Sequence, residues 1–303
     1  MASGIPTNRT NIELPNAVSR EIIQKTQESS MIMRLARQIP LPGNGVQIPV
    51  ITGDPVANWV TETGTKPVSN PSLSKKIMQA HKLAVIVPFS DEFRRDAASL
   101  YNALVARLPA ALGLKFDQTV FFGPSSGSLA NFDNFSAVDV QSLSTSVYGG
   151  LVAADGAISE AGGIMNGIAL SPQGKSVLLS EKDTTYRPIF IDSIAQGDIP
   201  MVLGARTYIG SAAYQAGTAQ VGSTPGDPDI VGFAGDWTKA MWGTVEGVKI
   251  AISTDASLTY TSGSDTETLN LFQQNMFAVR AEIEVGFVAQ TAYFVALGRT
   301  HVG

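Results

Sequence analysis

From Phe277 to Ala289 every second residue is apolar: Phe277, Val279, Ala281, Ile283, Val285, Phe287 and Ala289. The interleaved set begins Ala278, Arg280, Glu282, Glu284 and Gly286. A β-strand, whose side chains alternate between faces, puts the first set on one side and the charges on the other. A helix is the alternative, because Ala and Glu favour it. An alternation kept over thirteen residues outweighs that propensity and predicts a strand. Val248 to Ile252 offers an antiparallel partner, joined through the polar loop Thr254 to Thr268.

The second constraint is a long helix predicted over residues 90–121. Leu100, Leu104, Leu108, Leu112, Phe116 and Val120 recur every four residues, beside Phe93, Ala97, Tyr101 and Val105. Ser90 is placed to cap its start, with Asp91 and Glu92 against the positive helix end. At 1.5 Å per residue such an element runs on the order of 45 Å. Pro109 removes one backbone hydrogen bond and is expected to kink it, and Gly123-Pro124 ends it. A long helix on long strands predicts an α+β layout.

The remaining segments read as appendages and an inserted domain. Residues 1–45 look like an arm, with a short amphipathic stretch from Ala17 to Gln38 fenced by Pro15, Pro40 and Pro42. That stretch buries little by itself, so it must lie on something else. Residues 46–88 read as a hairpin, with Val46–Ile51 going out, Lys82–Val87 returning, and a polar tip from Thr61 to Lys76. An isolated hairpin is marginal in water, so a docking surface is implied. Residues 125–245 read as α/β: a helix over Leu151–Asn166, a strand at Gly167–Ser171, a helix from Pro172 to Lys182, and strands at Met201–Leu203, Thr207–Ile209 and Ile230–Ala234.

Composition excludes much chemistry. Cysteine is absent, and His81 and His301 are the only histidines, so thiolate chemistry and His-rich metal sites are ruled out. No phosphate loop, nucleophile elbow or HExxH helix occurs; Gly123-Pro-Ser-Ser-Gly127-Ser lacks the Lys-Ser/Thr ending, and Asp227-Pro-Asp229 falls short of a calcium loop. No cofactor and no metal are expected. With no signal-peptide layout and no apolar run near ~18 residues, neither secretion nor a membrane is expected. Charged residues are only 16%, low enough to suggest a surface largely covered by partners. Net charge is −5, yet residues 1–40 carry Arg9, Arg20, Lys25, Arg34 and Arg37 against three glutamates, and residues 46–87 carry four lysines against two acids. Basic leading segments before an acidic body suit docking on neighbouring copies, although ordinary fluctuation produces the same pattern.

The order of these elements resembles the tailed-phage major capsid family with the Hong Kong 97-type fold. Trp59-Val-Thr-Glu62-Thr-Gly-Thr-Lys66-Pro67 is similar to its extended-loop tip, Ser90-Asp-Glu-Phe to the opening of its spine helix, and Gly123 to the turn that closes it. Phe233 to Gly243, then Val248 to Ser253, resembles the strand returning to its peripheral domain, and Gln274-Asn275-Met276 with Arg280-Ala-Glu282 its last peripheral strands. The resemblance implies an N-terminal arm (1–45), an extended loop (46–88), a peripheral domain (89–124 and 235–290) and an axial α/β domain (125–234 and 291–303). It implies a non-enzymatic virion subunit, made in the bacterial cytoplasm, that forms hexamers and pentamers around double-stranded DNA. Trp59, Glu62, Lys66, Lys75 and Lys76 are then expected at contacts between subunits. Arg9, Arg20, Lys25, Arg34 and Arg37 are expected on the inner surface near the DNA. A separate scaffold, a portal and decoration proteins are the further partners implied, since the chain begins directly at the arm.

In one branch of that family a hairpin Lys joins an Asn of another subunit, helped by a Glu, and the matching positions are Lys66, Asn275 and Glu282. Deprotonated Lys66 would attack the carboxamide, with the carboxylate as base and ammonia leaving. The preferred reading is plainer: Lys66 is a surface charge, Asn275 bonds backbone, and Glu282 pairs with a neighbour such as Arg280. An encapsulin-like shell shares the fold and is the alternative function. A hydrolase using Ser and one of the two histidines is the remaining one.

Overall fold

The computed structural model describes residues 30–53, 57–62, 65–66, 68, 72–90, 97–125, 127–183, 185–190, 199, 201–219, 226–262 and 265–301. Chain order begins α1 (Met31–Leu35), β1 (Arg37–Pro40), β2 (Val46–Gly53), β3 (Ser72–Met78), β4 (His81–Ser90) and α2 (Ala97–Phe122). It continues with β5 (Val140–Ser142), α3 (Val147–Glu160), β6 (Gly167–Leu170), α4 (Pro172–Ser180), β7 (Met201–Val202), β8 (Ala205–Ile209) and β9 (Asp229–Gly235). It closes with β10 (Ala240–Thr244), β11 (Lys249–Ser253), β12 (Ser257–Ser262), β13 (Asp265–Asn270), β14 (Met276–Ala289) and β15 (Phe294–Arg299).

The alternating segment is β14, the central strand of the first sheet. It pairs antiparallel with β4 along residues 276–285, with β11 along 278–282 and with β10 along 285–289. Phe277, Val279, Ala281, Ile283 and Val285 are buried, Arg280 is exposed, and Glu282 and Glu284 are half-buried. Beyond Val285 both faces are buried. The cause is local: a Cβ on Gly286 would lie 2.8 Å from Met78 Cγ and 3.0 Å from Leu41 Cδ2, so the chain passes close over that face.

α2 covers this sheet. Leu108, Leu112, Phe116 and Val120 are all buried at the expected four-residue spacing, each worth roughly 1.5–3 kcal/mol of transfer free energy. Leu108 and Leu112 pack on Phe277, Val279 and Ile283. Pro109 lies inside the helix without ending it. Gly123 closes it at φ +81°, its N–H donating to Thr119 O at 2.9 Å.

Ser90 is the last residue of β4, paired with Met276, and Phe89 beside it stacks on Phe277 at 5.6 Å. The described part of α2 starts at Ala97, so the cap expected at Ser90 falls on a helix start outside the described residues. Asp91, Glu92 and Phe93 lie outside the described residues. The hairpin pairing needs correction. β2 pairs with β3, Val46 opposite Met78, and the expected return limb Lys82–Val87 belongs to β4 in the first sheet. The expected polar loop 254–268 contains β12 and β13, paired from Ser257↔Asn270 to Ser262↔Asp265.

The second sheet runs β5-β15-β9-β6-β8-β7. Ser146 caps α3, accepting from Gly149 N, so that helix starts and ends earlier than Leu151–Asn166. Pro172 starts α4 as anticipated, Ser171, expected as the end of the strand, is its cap, and the helix stops at Ser180. Between the sheets, Phe121 stacks on Phe233 at 4.7 Å and Phe135 on Phe294 at 4.5 Å. Phe116 and Phe287 join the same core, so α2, β9, β14 and β15 share one aromatic interior.

Candidate functional site

The hairpin of β2 and β3 is fastened at its base and bare at its tip. Met78 is fully buried with Leu41 and Val288. Lys76 Nζ donates to Asp133 Oδ2 at 2.7 Å and to Ala289 O at 2.5 Å, and Asp133 Oδ2 also accepts from Ala289 N at 2.9 Å. Lys76 therefore holds the hairpin to β14 within its own chain, although it was expected at a subunit contact. At the tip, Trp59 and Val68 are almost wholly exposed, and Glu62 and Lys66 are exposed too. Lys75 is exposed on β3. An indole in water is costly to leave there unless something else covers it.

The leading segment is fastened differently. Ser30 is fully buried and caps α1, accepting from Met33 N at 3.1 Å. Its hydroxyl donates to Asp117 Oδ1 at 2.5 Å, and Met31 N and Ile32 N donate to the same carboxylate at 2.7 and 3.3 Å. Asp117 thus caps α1 from the C-terminal part of α2. Burial pushes its carboxyl up to about 7, against the three hydrogen bonds, which lower it. Arg34 is exposed with its guanidinium 4.4 Å over the Tyr208 ring, and Arg37 is exposed on β1. Arg9, Arg20 and Lys25 lie outside the described residues.

Of the candidate crosslinking residues, Asn275 is exposed at φ +51° just before β14, and Glu282 sits in β14 opposite Ala84 and Lys249. Glu282 lies 3.6 Å from Arg280, the pairing anticipated for it. Among the described residues, no bond joins Lys66 to Asn275 or Glu282 within the chain. Among the described residues no serine is bonded to either histidine, as the hydrolase reading would need. His81 Nε2 lies 2.8 Å from Ala130 O, and His301 Nδ1 lies 2.6 Å from Asp229. Burial pushes the Asp229 carboxyl up, but hydrogen bonds from His301, Gly217 and Arg299 outweigh it and hold the group below its ordinary value. That cluster ties the end of β15 to β9. Among the described residues, no group of three or more His, Asp or Glu is placed to hold a metal, and no helix is long and apolar enough to cross a membrane.

The chain thus combines a hairpin with an exposed tip, a pinned leading segment and two sheets sharing one helix. A model described as the phage capsid family matches residues 11–297. The chain belongs to that family. Among curated proteins, "Probable major capsid protein gp17" of Mycobacterium phage L5 is 25% identical over 295 residues, covering 89% of this chain and 83% of the relative. The "Major capsid protein" of Staphylococcus phage 80alpha is 22% identical, covering 90% and 80%. Solved structures from Gordonia phage Cozz (TM-score 0.70, 20% identity, 90% of this chain and 87% of that one) and Mycobacterium phage Ogopogo (0.70, 21%, 89% and 92%) share the fold. The expected α+β capsid fold is therefore borne out, and the chain is a structural subunit of a phage capsid.

Sequence reasoning missed Asp117 and Asp133. A lone acid within the apolar stripe of α2 was the available signal for Asp117. Nothing local marks Asp133, whose partners Lys76 and Ala289 are distant in sequence.

Proposed function

We propose that this chain is the major capsid protein of a tailed bacteriophage, assembling as hexamers and pentamers into an icosahedral shell around double-stranded DNA. The carrying observation is the family match over residues 11–297, joined to a hairpin whose described tip residues Trp59, Glu62, Lys66 and Val68 are exposed. In this reading the hairpin lies across an adjacent subunit, with Trp59, Glu62, Lys66 and Lys75 at the contact. The leading segment, with Arg9, Arg20, Lys25, Arg34 and Arg37, faces the DNA. The first sheet with α2 forms the peripheral domain, and the second sheet with α3 and α4 the axial domain at the capsomer centre. Assembly takes place in the host cytoplasm with a separate scaffold and a portal. In this reading subunit contacts are non-covalent, which the pairing of Glu282 with Arg280 at 3.6 Å supports.

Negative-stain microscopy of the expressed protein tests the assembly: uniform shells or capsomers are expected, and strict monomers would contradict it. Boiling the particles in denaturant tests the contacts. One monomer band is expected on a gel, and a ladder would restore the Lys66–Asn275 crosslink.

A further inference from the structure

Where the leading segment crosses the second sheet, an open cleft of about 460 Å³ is lined by Arg34, Arg37, Asn166, Arg206, Tyr208 and Thr238, with no carboxylate in its wall among the described residues. The three arginines concentrate positive charge in one place on a chain of net charge −5. Among the described residues none of them pairs with a carboxylate. Asp236, next to the wall, is occupied by neutral donors: Asn166 Nδ2 at 2.8 Å, Thr238 N at 3.1 Å and the Thr238 hydroxyl at 2.6 Å. Arg34 is held over the Tyr208 ring, which limits its freedom before any ligand arrives.

We propose that this cleft binds a phosphate group. A guanidinium presents parallel N–H donors that match two oxygens of a phosphate, and three such forks suit an ion with several oxygens and more than one charge. A carboxylate, with two oxygens and one charge, would leave at least one fork unmatched. The site is composite, because Arg34 and Arg37 come from α1 and β1 while Arg206 comes from β8. It exists only while the leading segment is docked, and Asp117 does that docking. The phosphate comes from a nucleic-acid backbone or from a small phosphorylated molecule. Only the first source rests on the capsid reading.

The test uses the full chain and two probes, inorganic pyrophosphate by calorimetry and a short labelled DNA duplex by fluorescence anisotropy, at low salt. Arg206→Gln is the informative variant, because the fold uses this residue through its backbone pairing with Gly167 and Met201 while its side chain is exposed. Affinity is expected to fall roughly tenfold or more, with thermal unfolding unchanged. Arg206→Lys is expected to recover part of it, as a point charge without the fork. A loss for both probes assigns the nucleic-acid backbone, with a salt slope shallower by about one. A loss for pyrophosphate alone assigns a small phosphate, and either outcome supports the cleft. Wild type and Arg206→Gln binding both probes equally, or wild type binding neither, overturns it. Shell formation is read separately by microscopy, so failure of the capsid reading leaves this result standing.

Discussion

Asp117 lies on the apolar stripe of α2 and accepts from Ser30, Met31 and Ile32, so three donors favour its charged form while burial disfavours it. Burial prevails: the carboxyl titrates near 7 in the native state, against an ordinary 3.8. A native pKa above the unfolded one means the folded chain binds the proton more tightly. The stability this contributes is complete below about pH 4 and is lost as pH rises through about 7. Asp117→Asn removes the titration. Denaturant unfolding of the unassembled subunit at pH 5 and pH 8 is therefore expected to show wild type losing stability relative to the Asn variant at the higher pH. Profiles that stay parallel would show that the carboxyl titrates normally. Asp117→Ala leaves the hydroxyl and two N–H groups without an acceptor, at an expected cost of about 2–4 kcal/mol.

At the scale of elements, legibility followed the strength of the local pattern. β14 and α2 were readable because their periods of two and four persist long enough to identify one face each. Strand partnering was not, because it is settled by distant contacts. Leu83, Val85, Val87 and Phe89 look like a hairpin return, yet they alternate half-buried because they pack under α2 and beside β14. The true return, Ser72 to Met78, reads as polar because its ladder has little cover until Met78. β12 and β13 hid for a related reason: Leu258↔Leu269 is their one wholly apolar pair, and the rest of the ladder is built mainly from Thr, Ser and acids, too little for a readable apolar stripe. Of the assembly residues, Trp59 and Lys66 stand exposed where the tip motif put them, whereas Lys76 is turned inward. Lys76→Met should loosen the hairpin base, because Asp133 and the Ala289 carbonyl lose their donor. About 1–2 kcal/mol is expected, reduced by the partial exposure of the pair. Amide hydrogen exchange should quicken along residues 72–78 with β14 little changed. Unaltered exchange in β3 would mean that Met78 and Leu41 alone hold the base.

The molecule as a whole separates what folds it from what assembles it. Its aromatic interior joins α2 to both sheets, while the hairpin carries Trp59 and Val68 into solvent. Groups that contact nothing in the subunit contribute little to its folding, so Trp59→Ala should change the unfolding free energy of the unassembled protein by less than about 0.5 kcal/mol. On the proposed reading its effect belongs to the contact between copies. Aromatic anchors of that kind commonly contribute 2 kcal/mol or more, about thirtyfold in the equilibrium of each contact. Because every subunit of a shell makes the same contact, the loss repeats at each one, and assembly is expected to fail sharply rather than gradually. Sedimentation of the variant should show subunits or capsomers at concentrations where wild type forms shells, with an unchanged unfolding midpoint. Shells formed at wild-type yield would remove the hairpin tip from the assembly contact while leaving its base, and the fold, as described.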